Sequence, residues 1–458
     1  MYDAIIIGAG MSGLAAGIRL AHYDKRVCIL ERHSTIGGLN SFYRLGGRDY
    51  DVGLHAVTNF TPKGTRRGPL ARLLRQLRLK WDELALAPQV GSEIAFPGAR
   101  LRFSNDIAVI ESEIERLFPS QNDNFQQLLA AIVDYDRLGT TTSGRSAREV
   151  VGEIIDDPLL VEMLFCPLFF YGGPDEHDMD FHQFCIMFRA IYLEGLARPF
   201  AGVRLILKKL VRRFKELGGE LRLRAGVQRI AVSDGRAERV VLEDGTELEA
   251  RRILSSAGLP ETMRLCDDEN PATNEPAGKL TFVESISVLD KLPSSMGHDR
   301  TIVFFNDSPQ FSYRDPGELV DTRSGVICSP NNFVYDEPLA EGVVRITSLA
   351  NYERWAALDE DGYRLAKLRC YDRTVASAVR FVPDFRGSVI DTDVFTPTTI
   401  SRFTGHARGA VYGISQKRHD GRTHLENLYI CGTDQGFVGI VGTILSGITV
   451  VNQHFLST

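Results

Sequence analysis

The amino-acid sequence, 458 residues long, predicts an α/β fold in which a discontinuous domain around a parallel sheet carries an α+β domain with a helical part and an antiparallel or mixed sheet. Three observations lead there. Residues 3–17 read as a buried strand that runs into a glycine-rich turn and then a helix. A second strand, Arg26-Val-Cys-Ile-Leu30, follows and ends at Glu31. Far along the chain, Asn427-Leu-Tyr-Ile-Cys431-Gly432-Thr-Asp434 forms another strand with a glycine junction, and an apolar helical stretch from about Val441 to Phe455 stands behind it.

The opening segment places Gly8, Gly10 and Gly13 at the spacing that grips a dinucleotide. Gly8 permits the tight turn, Gly10 lets the backbone approach a pyrophosphate without a Cβ in the way, and Gly13 lets the helix pack closely on its strand. The phosphates then sit on the positive end of that helix, beside Met11 and Ser12, where backbone N–H groups lack intrahelical partners. Glu31 lies roughly 20 residues past the turn, where a carboxylate accepts hydrogen bonds from both ribose hydroxyls and disfavours a 2′-phosphate. After Arg32, the pair Gly37 and Gly38, with Leu39 next, brings more backbone to the same pyrophosphate. This extended, Rossmann-like pattern points to FAD more than to NAD.

The first piece of this domain, residues 1–62, closes with Asp49-Tyr-Asp51-Val-Gly53-Leu-His55, a turn expected to bring His55 near the cofactor without giving it a catalytic role. The second piece is 200–270. It opens with a helix, Val203 to Leu217, stopped by Gly218-Gly219, and continues in strands punctuated by the hairpin signals Asp234-Gly235 and Asp244-Gly245. Arg252-Ile-Leu-Ser-Ser-Ala-Gly258 returns to the main sheet. The third piece is 396–458. Between them, 63–199 reads as largely helical and 271–395 as strands with a helix from Asp359 to Ala378, together forming the substrate-binding domain.

Hydrophobic residues make up 43% and charged residues 24%, an ordinary globular composition long enough for two domains. The net charge of -6 gives no general attraction to nucleic acid, which is not expected as a partner. The 7 cysteines are scattered without Cys-x-x-Cys spacing, so no metal site is expected and a reducing compartment is the simple reading. The first strand starts at residue 3, leaving no room for a cleaved signal, and no apolar run of about 20 residues interrupts the pattern. The expected location is cytoplasmic, or against a membrane without crossing it.

Together with Ser401-Arg402-Phe-Thr404-Gly-His406-Ala-Arg-Gly409-Ala-Val-Tyr412-Gly413 and Cys431-Gly-Thr-Asp434-Gln-Gly-Phe-Val-Gly439-Ile-Val-Gly442-Thr443, these motifs resemble the phytoene desaturase and carotenoid isomerase family of FAD-dependent oxidoreductases, within the flavin amine oxidase superfamily. The resemblance runs through nearly the whole chain and is loosest in the middle. It implies that Glu31 holds the adenosine ribose, that Gly37 and Gly38 lie along the pyrophosphate, and that Val227 presents backbone to the adenine. It puts Gly432 and Asp434 by the pyrophosphate and ribityl chain. Val441 and Gly442, between Gly439 and Thr443, donate backbone N–H groups toward the flavin ring. A helix N-terminus there favours negative charge on the reduced ring.

The chemistry implied is desaturation of a long apolar polyprenoid or carotenoid-like substrate by hydride transfer to flavin N5. Isomerisation, saturation and hydroxysqualene-type dehydroxylation are neighbouring reactions on the same scaffold. An amine oxidase-like flavoenzyme and a flavin-binding partner protein without turnover are the more distant alternatives. Tyr412, Arg402 and His406 are the candidates to face the ring, with the satisfaction of backbone carbonyls as the competing duty of Arg402 and His406. No second nicotinamide fingerprint is visible, so electrons are expected to leave to oxygen or a quinone. The run Pro158 to Tyr171 offers a greasy channel lining, although most of its side chains are expected in the core. Leu70, Leu73, Leu74 and Leu77 share one face of an arginine-rich stretch, Arg66 to Lys80, which suits either a bilayer interface or a surface helix whose stripe meets the core. Lys208-Lys209 and Arg212-Arg213 read as the solvated face of a helix.

Overall fold

The computed structural model describes residues 1–53, 55–135, 143–268 and 276–457. Two large sheets organise it. The first has 7 strands in the order Val227–Ser233, Arg236–Leu242, Glu247–Ser255, Tyr2–Ile7, Val27–Glu31 and Glu220–Leu223, with Leu428–Ile430 paired to Glu247–Ser255. Its centre is parallel, whereas Val227–Ser233, Arg236–Leu242 and the start of Glu247–Ser255 form an antiparallel meander. Parallel central strands are buried on both faces, which is why Ala4-Ile-Ile-Ile7 and Val27-Cys-Ile-Leu30 are apolar without alternation. The helices Met11–Ala21, Val203–Glu216 and Gly439–Val451 pack together over this sheet through Leu14, Ile18, Leu207, Phe214, Ile444 and Ile448. The close packing of the first and last helices depends on Gly447, whose Cβ would lie 2.1 Å from Ser12 O.

The second sheet also has 7 strands, in the order Val389–Phe395, Thr281–Leu289, Gly342–Ala350, Ser324–Cys328, Ile302–Asn306, Ser92–Phe96 and Ala99–Phe103. It is mixed, with one parallel pairing between Ile302–Asn306 and Ser92–Phe96. The last two strands lie inside the stretch expected to be largely helical. Their hairpin was legible in the alternation around Pro97-Gly98: Ala99, Leu101 and Phe103 are buried and Arg100 and Arg102 exposed. The remaining helices of that stretch, among them Ile107–Leu117, Asn122–Asp134, Pro158–Gly172 and Phe181–Phe188, bury their apolar sides in one large core beside the sheet.

Two apolar stretches for which the sequence left a second duty open are packed into the core. The arginine-rich stretch forms the helix Pro69–Leu77, and Leu70, Leu73 and Leu77 are fully buried against the first and last helices, so the apolar stripe is not available to a bilayer. Arg72 and Arg75 keep to solvent. The run 158–171 fills the core, and Phe170 and Tyr171 are its contribution to the cavity described below. The stretch Gly439–Leu456 is long and apolar enough to cross a membrane, yet it is mostly buried within the protein. The boundary expected at 270/271 lies outside the described residues. All 7 cysteines are free and buried.

Candidate active site

A cavity of about 500 Å³ lies between the two sheets and is entered by both ends of the chain. On the first-sheet side its wall is mainly backbone. Gly8 turns with φ +96, Gly10 caps the first helix, and Met11 and Ser12 open it, all on the cavity. Gly13 lies behind them, where an added Cβ would meet Gly8 O at 2.2 Å. At Gly10 and Gly38, by contrast, an added Cβ would find nothing within 4 Å. That vacant space beside bare backbone is what a pyrophosphate needs. Gly37 N–H donates to Ala9 O at 3.0 Å, which draws the second glycine pair and Leu39 alongside the first turn.

Neither the first nor the last helix has a side-chain cap at its N-terminus. Both termini open on this one cavity, through Met11 and Ser12 and through Gly439, Ile440 and Thr443. Two uncapped, electropositive helix ends converge there, a setting that favours an anionic ligand. Glu31 ends its strand on the cavity wall. Its Oε2 accepts from Ala9 N–H and its Oε1 from His33 N–H, both at 2.9 Å, so backbone fixes the carboxylate while each oxygen keeps a lone pair for a ribose hydroxyl. Arg32, Val227 and Gly432 also line this side, with Ser256, Glu261 and Arg264 beyond them.

Five of the residues singled out in the sequence do not line the cavity. Gly13 serves packing, as its spacing implies. Asp434 is buried and spent on the fold: its Oδ2 accepts from Leu259 N–H at 2.5 Å and its Oδ1 from Ile414 N–H at 2.9 Å, which ties two loops behind the cofactor groove. The last helix begins at Gly439, two residues earlier than expected, so Val441 and Gly442 stand inside its first turns, with the Val441 side chain in the core. Arg402 is exposed and does not line the cavity; its guanidinium lies over the ring of Phe403, which does. His406 does reach the wall, where its Nδ1 is 2.8 Å from Ala410 O, the carbonyl-satisfying duty. Tyr412 lines the cavity and donates its hydroxyl to Phe170 O, with burial pushing that hydroxyl's pKa up.

The second-sheet side of the wall is made of side chains that the motifs did not announce. Glu284 and Thr347 are register partners on adjacent strands, and Arg345 shares their face two residues before Thr347. Arg345 grips Glu284 with two hydrogen bonds, Nε to Oε1 at 2.6 Å and Nη2 to Oε2 at 2.8 Å, and both side chains are buried. Burial alone would raise the Glu284 carboxyl, but the Arg345 guanidinium and the hydrogen bond from His55 hold it down at about 2. His55 Nε2 lies 2.8 Å from Thr347 Oγ1 and 3.3 Å from Glu284 Oε1. The sequence signal for this network was a charged residue on the inward face of each of two otherwise apolar strands, Phe282-Val-Glu284-Ser-Ile286 and Val344-Arg345-Ile346. Phe170, Tyr171, Phe282, Phe395 and Val411 are among the apolar residues of the wall.

Residues 11–453 match the family described as flavin containing amine oxidoreductase. The chain is 23% identical over 502 residues to a prolycopene isomerase of Daucus carota, covering 99% of this chain and 80% of that protein. It is 25% identical over 509 residues to a lycopene-forming phytoene desaturase of Pseudescherichia vulneris, covering 97% of each. An oxidoreductase structure from Methanosarcina mazei superposes with a TM-score of 0.69 at 15% identity, over 98% of this chain and 99% of that one. The chain belongs to the flavin-containing amine oxidoreductase family. It is an FAD-dependent oxidoreductase, and the bare-backbone groove, the two uncapped helix ends and the placed Glu31 carboxylate fit that cofactor.

Proposed function

We propose that the protein is a desaturase of a long, apolar, polyprenoid or carotenoid-like substrate. The full-length likeness to a phytoene desaturase carries this reading, and the apolar patch of cavity wall at Phe170, Phe282 and Val411 supports it. In it, Glu31 holds the ribose, and the backbone at Gly8–Ser12 and Gly37–Leu39 holds the pyrophosphate. The first turn of Gly439–Val451 favours negative charge at the ring. FAD supplies N5 as a two-electron acceptor, so the protein's share is binding, orientation and a dry site. Phe170, Tyr171, Tyr412 and Phe282 close the site against water, with the Tyr412 hydroxyl tied to Phe170 O.

The likeness to a prolycopene isomerase favours a second reading, double-bond isomerisation with the same cofactor. Electrons leave the desaturase to oxygen or a quinone, and the substrate is delivered from a membrane surface against which the protein rests from the cytoplasmic side. The test is an anaerobic titration of the FAD-loaded protein with detergent-dispersed phytoene and with compact amines. Desaturation predicts bleaching of the visible flavin absorption by phytoene alone and a product with a longer conjugated system. Isomerisation predicts a rearranged polyene only with pre-reduced flavin. Bleaching by an amine and not by phytoene overturns the proposal.

A further inference from the structure

We propose that His55 is the base that takes the substrate proton at this site, with Glu284, Thr347, Arg345 and Arg198 as the residues that position it; this rests on the desaturase reading. A desaturation removes two hydrogens from neighbouring carbons. One leaves with both electrons of its bond as hydride to the flavin, which is reduced. The other leaves as a proton, its bonding pair becoming the new double bond, and this proton needs an acceptor in a site built to exclude water.

The acceptor's chemistry is set by its neighbours. An ionised carboxylate is acceptor only, so its contact with Nε2 favours the tautomer with the ring hydrogen on Nε2, the Thr347 hydroxyl serving Nε2 in either role. Every hydrogen bond of this ring to a described residue is made through Nε2. In that tautomer the neutral ring keeps the lone pair of Nδ1 free of the Glu284 and Thr347 contacts, and His55 lines the cavity. When Nδ1 takes a proton, the resulting imidazolium has the Glu284 carboxylate already in contact, the arrangement by which a buried carboxylate orients and stabilises a histidine base.

The turn that carries His55 is clamped from both sides. Arg198 Nη1 donates to His55 O at 3.1 Å and its Nη2 to Asp51 Oδ2 at 2.6 Å. Arg345 Nη2 donates to Asp51 O at 2.8 Å while holding Glu284. The turn also approaches the last helix: Thr58 Oγ1 lies 3.0 Å from where a Cβ on Gly439 would be. Two buried guanidiniums thus hold one short turn at the end of the groove where the flavin ring is expected, a costly arrangement for a ring that does nothing more than fill space. The titratable and charged groups around His55 are Glu284 and Arg345 on the second sheet, Cys328 on its neighbouring strand, Asp51 on its own turn, Arg198 beside the turn, and Tyr171, whose buried hydroxyl has no hydrogen-bond partner among the described residues. Burial is the largest influence and favours the neutral ring, with Glu284 opposing it.

Four forms separate the outcomes: wild type, His55→Ala, His55→Gln and Glu284→Gln, each loaded with FAD and mixed anaerobically with phytoene. His55→Gln keeps an N–H for Glu284 but accepts no proton. The expected result is wild-type flavin absorption and retention in all four, and bleaching slowed at least about 100-fold in both His55 variants. Added imidazole restores part of the rate in His55→Ala. Glu284→Gln moves the acid limb of the pH profile to lower pH, because the carboxylate that favours the imidazolium is gone. Independently of turnover, the ¹⁵N shifts of the ring in FAD-free protein report hydrogen on Nε2. Wild-type rates in either His55 variant, or hydrogen on Nδ1 in the neutral ring, overturn the assignment and leave the desaturase reading standing. Wild type that does not bleach with phytoene defeats the desaturase reading itself, and the assignment with it.

Discussion

The two sides of the cavity are built from different material. The first-sheet side is largely backbone, glycine turns and two helix ends, with the charged side chains of Glu31, Arg32, Glu261 and Arg264 around them. The second-sheet side is side chain, dominated by a buried ionic network of His55, Glu284, Arg345 and Thr347 set into aromatic surroundings. A backbone wall recognises what is common to every dinucleotide and tolerates little change in its own sequence. A side-chain wall can be redesigned residue by residue without disturbing the sheet behind it, so one scaffold hosts many reactions. The difference teaches where to look for cofactor and where to look for chemistry.

The largest expected effect is on the side-chain wall. Arg345→Met leaves the Glu284 charge buried without its guanidinium and should cost about 3–5 kcal/mol in denaturant unfolding, whereas the double change with Glu284→Leu recovers most of it. Equal losses in the single and double variants would mean that the pair does not act as a unit. Beneath the backbone wall, Leu73→Ala should cost about 2–5 kcal/mol, since the residue is core and not membrane anchor. Unchanged stability with weakened binding to anionic vesicles would reverse that conclusion.

Two glycines sharpen the contrast within the groove itself. Gly13→Ala puts a methyl against Gly8 O and should destabilise the fold by about 1–3 kcal/mol. Gly10→Ala meets no protein atom, so its thermal unfolding without cofactor should match wild type while FAD is released on dilution. Identical behaviour of the two would erase the distinction between packing and binding glycines.

Acid separates the two walls more gently. His55 is held neutral by burial, so below the ordinary imidazole value of about 6.5 the unfolded chain binds a proton that the native ring refuses. Stability then declines as pH falls, by up to about 1.4 kcal/mol per pH unit, until the depressed native value is reached. Glu284, held at about 2, adds a second decline between its unfolded value of 4.5 and that figure. His55→Gln should make the first decline shallower in pH-dependent urea melts, leaving the share of His298, held at about 4 by burial, and those of His22 and His419, and keep the second. The smallest effect is expected at Arg402: its replacement by Ala should move stability and flavin retention by less than about 0.5 kcal/mol, because the side chain faces solvent.

The backbone wall was legible in the sequence because glycine spacing is a statement about backbone geometry. Gly8, Gly10, Gly37, Gly38 and Gly432 all came to the cavity. Asp434 misled because a conspicuous acid in a glycine-rich turn serves equally well as a hydrogen-bond acceptor for loops, and only the positions of Leu259 and Ile414 decide between the two. Arg402 misled because its neighbours His406 and Tyr412 do reach the wall, while the end of the helix Pro397–Thr404 points its arginine outward. The network of Glu284, Arg345 and Thr347 depends on pairing between strands far apart in sequence. Alternation marked the faces, but register was needed to bring the three together.

The paired strands Tyr2–Ile7, Glu247–Ser255 and Leu428–Ile430 come from widely separated stretches of chain. During synthesis, which runs from the amino end, a nascent chain stalled before Asn427 lacks both that last strand and the helix whose open end faces the cavity. Flavin capture therefore becomes a late event in biogenesis. Because a ligand that binds only the native state deepens its well, the vitamin-derived cofactor also acts as a checkpoint on completed molecules, and cells starved of riboflavin should hold less of this protein.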